Sequence, residues 1–199
     1  MKEYLVKHIE GKPEWAKIPA LPIDVRYRDT KEDVSAEAKI CYDEEHIYVK
    51  LSTTEPESPA KGKDFLCEPC LDSCLEFFFS PVEDDPRYMN LEFNPNGIYY
   101  FGIGTSIKTL VRLLPENRHI FGARVRRRND GWSVTYSIPA ELIRRFFPSF
   151  SLYSGKEMRA NCYKCLEEGR EPNFLSWAPI EGERLSFHRP HQFGRFIFE

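Results

Sequence analysis

Two glutamates lie in otherwise apolar stretches of the sequence and are its first candidates for chemistry. Glu76 stands between Leu75 and Phe77 in CLDSCLEFFFSP, and Glu92 lies in RYMNLEFNPNG. A carboxylate in such a setting is costly to bury unless that side of the segment is hydrated or has a partner. Carboxylate oxygens accept hydrogen bonds from hydroxyl groups, and a pair about 5 Å apart is also the arrangement of retaining glycosidases.

Both segments alternate apolar and polar residues, so each is expected to form a strand with one face toward the core. A hairpin through the PVEDDPR loop would place their polar residues side by side. The strand expected at MRANCYKC extends the pattern, because Arg159, Asn161 and Tyr163 are in phase. Such a face suits sugar hydroxyls, although a merely solvated sheet face would show the same alternation. The predicted polar face carries Glu76, Asn90, Glu92, Asn94, Arg159 and Asn161.

The rest of the chain is also predicted to be mainly β. KICYDEEHIYVKLS predicts a hairpin around Asp43–Glu45, and ARVRRRNDGWSVTYSIP predicts another with Asp130–Gly131 supplying positive φ angles. One short helix is expected at PAELIRRFFPSF, beginning at Pro139. We therefore expect an all-β fold, an antiparallel β-sandwich of the immunoglobulin-like or jelly-roll-like kind with one short helix, in which residues 1–199 form a single domain.

Composition narrows the class of partner. The chain has 28 basic and 31 acidic residues and a net charge of -3, which favours neither nucleic acid nor an anionic membrane. No run approaches the roughly 20 apolar residues of a membrane helix, and MKEYLVKHIEGKPEW lacks the apolar stretch of a secretion signal. We expect a neutral partner, no nucleic acid and no membrane, while a secreted and a cytoplasmic location both stay open.

The cysteines raise the question of a zinc site. They are Cys41, a first cluster of Cys67, Cys70 and Cys74, and a second cluster of Cys162 and Cys165. Structural zinc sites usually bring two C-x-x-C pairs together within about 15 to 20 residues, whereas roughly ninety residues separate these clusters. A strand at MRANCYKC would also direct Cys162 and Cys165 to opposite faces. Buried or free thiols are therefore expected rather than zinc, and disulfides stay open.

Six segments occur in the same order as in the family 9 carbohydrate-binding modules and their family-9-like relatives, which the chain resembles from about Ile40 to its C-terminus. The segments are LDSCLEFFFSP, YMNLEFNPNG, DGWSVTYSIP, MRANCYKC, FLSWAP and FHRPHQFGRFIF. The resemblance implies a β-sandwich that takes part in sugar recognition and polysaccharide degradation. Its implied ligand is a mono- or oligosaccharide, in the best-known members held by the reducing end and not cleaved.

The resemblance also assigns roles to individual residues. Glu76 matches the strand glutamate that hydrogen-bonds sugar hydroxyls, and Trp177 in FLSWAP matches one of two aromatic residues that sandwich the sugar ring. The second aromatic residue of the family is a tryptophan six residues before the glutamate, where this chain has Cys70. One stacking face of the implied sugar site is therefore missing.

No cofactor is expected, with structural calcium as the exception that the resemblance allows, since several members of the family hold it. Glu83, Asp84 and Asp85 in the PVEDDPR loop offer the hard oxygen ligands that calcium prefers. A solvated acidic turn is the alternative.

Three functions remain open at this point. The favoured one is non-catalytic carbohydrate binding by a polar sheet face and an aromatic platform. The second is a glycoside hydrolase, or an accessory domain of one, in which Glu76 and Glu92 act as the carboxylate pair. The third is a scaffold that keeps the fold and has lost the sugar. An enzyme is the less expected outcome, because a sandwich of 199 residues leaves little material for a deep substrate cleft.

Overall fold

The computed structural model describes residues 1–55, 57–169 and 171–199. The strands of these residues are β1 (Glu3–His8), β2 (Leu21–Ile23), β3 (Val25–Tyr27), β4 (Ser35–Tyr42), β5 (His46–Thr54), β6 (Cys74–Ser80), β7 (Tyr88–Phe93), β8 (Tyr99–Gly104), β9 (Val111–Arg112), β10 (Arg124–Arg128), β11 (Gly131–Pro139), β12 (Glu157–Leu166), β13 (Asn173–Ser176) and β14 (Gly194–Phe198). The helical elements are α1 (Ala140–Arg144) and the 3-10 turns Pro69–Leu71, Ile107–Thr109 and Pro190–Gln192.

The strands form two connected sheets around a shared core. Sheet 1 runs β14-β12-β6-β7-β8-β9, with β13 and β3 attached beside β12. Sheet 2 runs β10-β11-β5-β4, with β2 paired to β4. Strand β1 joins the sheets, because its first residues pair with β14 and its last two pair with β4. The prediction of a β-sandwich with one short helix is confirmed.

The antiparallel prediction holds for most strand pairs but not for β1. This strand runs parallel to both β14 and β4. Parallel neighbours need a long connection between them, and here the connection to β14 is nearly the whole chain. Such a pairing has no local turn signal, so it could not be predicted from the flanking residues.

The core lies between the two sheets and is formed by the side chains of alternate strand residues, which point inward. Sheet 1 contributes Leu75, Phe77 and Phe79 from β6, in the phase predicted from the sequence. Trp132 of β11 is fully buried there, and its indole N–H donates to Ser73 Oγ at 2.7 Å. Burial of each large apolar side chain contributes about 1.5 to 3 kcal/mol. This core fixes the phase of β6 and so directs Glu76 to the opposite face.

The hairpin of β10 and β11 forms as predicted, with one difference in the turn. Arg128 pairs with Gly131, so Asn129 and Asp130 are the two loop residues. Positive φ occurs at Gly131, with a φ of 151°, and not at Asp130. A side chain at Gly131 would place its Cβ 2.1 Å from the carbonyl oxygen of Thr53, so only glycine fits.

The outer face of sheet 1 is not the hydrated face that alternation suggested. A second apolar cluster covers part of it, built from Phe78, Tyr88 and Tyr163 on the sheet and Phe187 and Phe193 from the segment before β14. The ring of Phe187 stacks on Tyr163 with centroids 4.2 Å apart and an interplanar angle of 9°. Polar residues on this face therefore lie beside apolar side chains and are buried.

The only α-helix of the described residues is short. Helix α1 has five residues, takes Pro139 at its N-cap position and stops well before Pro148. Its buried side chains pack against the main core. Within the described residues, no helix has the length and apolar character needed to cross a membrane.

Candidate binding site

A cavity of about 540 Å³ opens on the outer face of sheet 1. Its floor is a row of register partners on three neighbouring strands, Glu76 on β6, Glu92 on β7 and Tyr100 on β8. The three side chains form a row because each belongs to the set of alternate residues that point away from the core. The walls come from loops and from β13, and they include Arg28, Cys70, Glu167, Phe174, Phe187 and His188.

The two glutamates of the floor are almost completely buried, with exposed fractions of 2% for Glu76 and 6% for Glu92. Glu76 Oε1 accepts a hydrogen bond from the thiol of Cys165 at 2.8 Å. Glu92 Oε1 accepts one from the side-chain amide of Asn90 at 2.6 Å. Neither carboxylate forms an ion pair with any residue that the structure describes. The hydrogen-bond partners of both carboxylates are therefore neutral, although the charge of Lys164 on β12 opposes the rise in the pKa of Glu76.

Burial sets the protonation of this pair. It raises the pKa of Glu76 to about 7, in spite of the opposing hydrogen bond from Cys165. Burial also raises the pKa of Glu92 well above its usual range, and the neighbouring charge of Glu76 raises it further. Because like charges this close disfavour joint ionisation, the floor holds at least one proton near neutral pH. A protonated carboxyl donates a hydrogen bond and an ionised one accepts, so the pair offers both functions to a hydroxyl-rich ligand.

The aromatic residues of the cavity were not singled out from the sequence. Tyr100 lies on the floor, and Phe174 and Phe187 form part of the wall. In GIYYFGIG, Tyr99, Phe101 and Ile103 alternate with Tyr100, which predicts that Tyr100 points to the outer face of the sheet, where it is the register partner of Glu92. No comparable local signal marks Phe187, because its position depends on how the segment before β14 folds over the sheet. The guanidinium of Arg28 lies 4.3 Å above the ring of Phe174 and adds one positive charge to the wall.

Two of the predicted polar ligands have their hydrogen bonds satisfied within the protein. The amide of Asn161 donates to Ala178 O at 3.0 Å, and its oxygen accepts from the backbone of Ala178 at 2.9 Å. Asn94 donates to Gly62 O and to Asp72, and accepts from two backbone N–H groups of its own turn. Both side chains hold loops in place and neither lines the cavity.

Arg159 and Trp177 also lie outside the cavity. Arg159 donates to Phe193 O at 3.4 Å, and its register partner on β6 is Ser80, four residues beyond Glu76. Trp177 has an exposed fraction of 4%, belongs to the main core and packs edge-on against Phe196. Its ring has no free face for a sugar, so the structure brings together Glu76 and Glu92 but not Trp177.

The carboxylates of the acidic loop between β6 and β7 are not gathered into one cluster among the described residues. The carboxylate of Asp85 is bound by the guanidinium of Arg87 at 2.9 and 2.6 Å, which lowers the pKa of Asp85. Glu83 and Asp84 are exposed. In residues 1–55, 57–169 and 171–199, only one group brings three potential ligand atoms within 4.8 Å of one another, and it is elsewhere.

A buried ion pair supports β12 next to the site. Lys164 Nζ lies 3.2 Å from Glu55 Oε2, and both side chains are almost fully inaccessible. The ammonium group also donates to Asn173 Oδ1 at 2.8 Å. The hydroxyl of Ser73 donates to the same carboxylate and links it to the indole of Trp132. This network connects Glu55, the residue after β5, with β12 and β13.

Comparison with solved structures supports the sandwich assignment. A crystal structure of a candidate carbohydrate-binding protein from Bacteroides uniformis is 28% identical, with a TM-score of 0.85 over 100% of this chain and 99% of that one. Two structures of a family 9 carbohydrate-binding module from Caldicellulosiruptor kristjanssonii, in complex with glucose and with cellotriose, are each 13% identical. Their TM-scores are 0.72 and 0.73, over 100% of this chain and 96% and 94% of theirs.

Comparison at the sequence level gives the family. No curated protein matches the chain. The sequence model of carbohydrate-binding family 9 matches residues 14–198, which is nearly the whole chain and includes every residue of the cavity named above. The chain belongs to carbohydrate-binding family 9.

Proposed function

We propose that the protein binds a mono- or oligosaccharide without cleaving it, in the cavity above Glu76 and Glu92. One observation carries the proposal: two carboxylates, both more than nine-tenths buried and without an ion pair among the described residues, line a cavity with aromatic walls. Such groups are expensive to keep unless a ligand uses them. We also propose that residues 1–199 act as one binding module.

The hydrogen-bonding capacity of the floor supports a sugar. Near neutral pH one carboxyl can donate while the other accepts, and adjacent sugar hydroxyls need both. Tyr100 and Phe174 offer ring surface to the C–H faces of a pyranose. Cys70 lines the cavity at the position where the family has a tryptophan, so we expect stacking from fewer rings and weaker binding than a two-sided sandwich would give.

The remaining residues predicted from the sequence receive supporting roles in this proposal. Asn161 fixes the backbone after β13, Asn94 fixes the loop beside Gly62, and Trp177 fills the core beneath the sheet. We propose that the acidic loop is held by the ion pair of Asp85 with Arg87 rather than by calcium.

The test is calorimetric titration with glucose, xylose and their oligomers. Glucose and its oligomers are chosen because the Caldicellulosiruptor kristjanssonii module was solved in complex with glucose and with cellotriose. Glu76→Gln should weaken binding by about 1.5 to 3 kcal/mol, the range for a hydrogen bond to a charged group. Glu83→Gln, which changes an exposed carboxylate in a distant loop, is the matched control and should bind as wild type.

Two outcomes would count against the proposal. Release of reducing ends from the oligomers would make the protein a hydrolase, the role in which Glu76 and Glu92 serve as acid and nucleophile. Wild-type affinity in Glu76→Gln would place the sugar away from this cavity.

A further inference from the structure

Cys74 and Cys165 have no part in the proposed sugar site, yet they lie beside the carboxylate of Glu76 at the floor of the same cavity. Cys74 is the first residue of β6, and its register partner on β12 is Cys165. The two cysteine clusters, roughly ninety residues apart in the chain, therefore meet through a single pair of neighbouring strands. Sequence spacing could not show this, because strand register is set by the whole sheet.

Three side chains converge at this point. One Sγ atom from each of Cys74 and Cys165 and a carboxylate oxygen of Glu76 all lie within 4.8 Å of one another, and all three residues are buried. Cys74 and Glu76 are two residues apart on β6, so they project from the same face. Cys162 projects to the other face and lies in the main core, as alternation predicted. The cluster is thus built from two strands held rigidly by the sheet.

The cluster reaches the cavity through Glu76, while Cys74 and Cys165 are buried and do not line it. Glu76 and Cys70 both line the cavity, and Cys70 O lies 3.9 Å from Cys165 Sγ. An ion entering the cavity would meet the carboxylate first and the two thiols behind it. A fourth position would face the cavity, where water or the Cys70 thiol could complete a tetrahedron.

The donor set has a definite chemical preference. Two thiolates with one carboxylate suit a borderline-soft divalent ion that accepts tetrahedral geometry, and they do not suit calcium or magnesium. The buried carboxylate forms no ion pair among the described residues, because the nearby Lys164 is paired with Glu55, so a metal ion would supply a direct positive partner. Binding would transfer the two thiol protons to solvent and leave no change in oxidation state.

We propose that Cys74, Cys165 and Glu76 form a binding site for a thiolate-preferring divalent metal ion of the zinc class. The metal site shares Glu76 with the proposed sugar site, but it does not rest on sugar binding and can be tested without a sugar.

The experiment uses the full chain, kept reduced and freed of metal with a chelator. Titration with Cd²⁺ should produce thiolate-to-metal charge-transfer absorption in the ultraviolet, and competition with a chromophoric chelator should give the affinity for Zn²⁺. Cys165→Ser should lower the Zn²⁺ affinity at least about tenfold, because even the loss of a residue that only hydrogen-bonds a metal ligand typically costs about 10- to 100-fold. Cys67→Ser is the matched control, because Cys67 belongs to the same segment but its sulfur lies against Gly62, away from the cluster.

Circular dichroism shows whether each variant is folded, so that loss of a metal ligand can be told from loss of the fold. If Cys165→Ser fails to fold, Cys74→Ala and Glu76→Gln take its place, since each removes one donor. Absence of charge-transfer absorption in wild type would overturn the proposal. So would a loss of Zn²⁺ affinity in Cys67→Ser as large as in the cluster variants, or a disulfide between Cys74 and Cys165 that persists under reductant.

Discussion

The pH dependence of folding stability gives a direct test of the buried carboxylates. Burial raises the pKa of Glu76 from 4.5 to about 7 in the folded protein. Between these values the folded state holds a proton that the unfolded state has released, so stability falls as the pH rises. The difference corresponds to about 3 kcal/mol of unfolding free energy, which is fully present below pH 4.5 and lost by the time the pH exceeds about 7.

A second buried group acts in the opposite direction over part of this range. Burial lowers the pKa of His188 in the cavity wall from 6.5 to about 4. The unfolded state therefore takes up this proton first, and stability falls as the pH drops from 6.5 toward 4. The two effects offset each other in the wild type at mildly acidic pH, so the contribution of Glu76 must be measured as a difference from a variant.

Glu76→Gln is that variant, because it removes the ionisable group and keeps an oxygen that can accept a hydrogen bond from the Cys165 thiol. Relative to wild type it should gain about 3 kcal/mol of stability when the pH is raised from about 5 to about 8. Glu76 ionises over that range only in the wild type, whereas the buried groups His188 and Glu92 are common to both proteins. The assay is urea unfolding followed by circular dichroism at constant ionic strength, with unchanged m-values as a check.

Glu83→Gln provides the baseline, since Glu83 is exposed and the stability of this variant should track wild type at every pH. A difference between wild type and Glu76→Gln that stays constant across the pH series would refute the reasoning. It would mean that Glu76 ionises as easily in the folded protein as in the unfolded chain. A variant that instead loses stability at alkaline pH would show that the ionised carboxylate has a partner.

Four further perturbations address other parts of the structure. Cys70→Trp should tighten sugar binding by about 0.5 to 1.5 kcal/mol through a second stacking face, measured by calorimetry against Cys70→Ala. Trp177→Ala should cost about 3 to 5 kcal/mol in urea unfolding because it empties a core position, and unchanged stability would place the ring outside the core. Lys164→Met should also cost about 3 to 5 kcal/mol, since it leaves Glu55 buried without a cation; equal stability would argue that the pair does not form. The melting temperature should be the same in chelator and in calcium, because the Asp85 carboxylate is already paired, and a rise with calcium would establish a metal site.

The strands and their phase follow from local sequence. Alternation predicted which side of β6 faces the core, and the register of β6 with β7 sets Glu76 directly against Glu92, as a hairpin requires. The turn residues around Asp43 and Asp130 marked two more hairpins, both of which form. These features depend on residues a few positions apart, and a single sequence carries that information.

What the sequence could not predict depends on distant segments. Alternation distinguishes the two faces of a strand but does not say what covers each face. The polar face of sheet 1 is buried because Phe187 and its neighbours fold over it, and this contact converts hydrated carboxylates into desolvated ones. The meeting of Cys74 with Cys165 has the same origin, as does the parallel pairing of β1. The resemblance assigned Trp177 to the sugar site by its residue type and place in the sequence, but the side chain of Trp177 lies in the core.

The parallel pairing of β1 with β14 also determines how the protein should respond to a pulling force. Residues near the start of the chain pair with β14 so that Glu3 lies beside Arg195 and Val6 beside Phe198. Tension applied at Met1 and Glu199 would slide the two strands past each other and load all their hydrogen bonds at once, instead of opening them one by one. Rupture at this pair of strands would therefore require several hydrogen bonds to fail together.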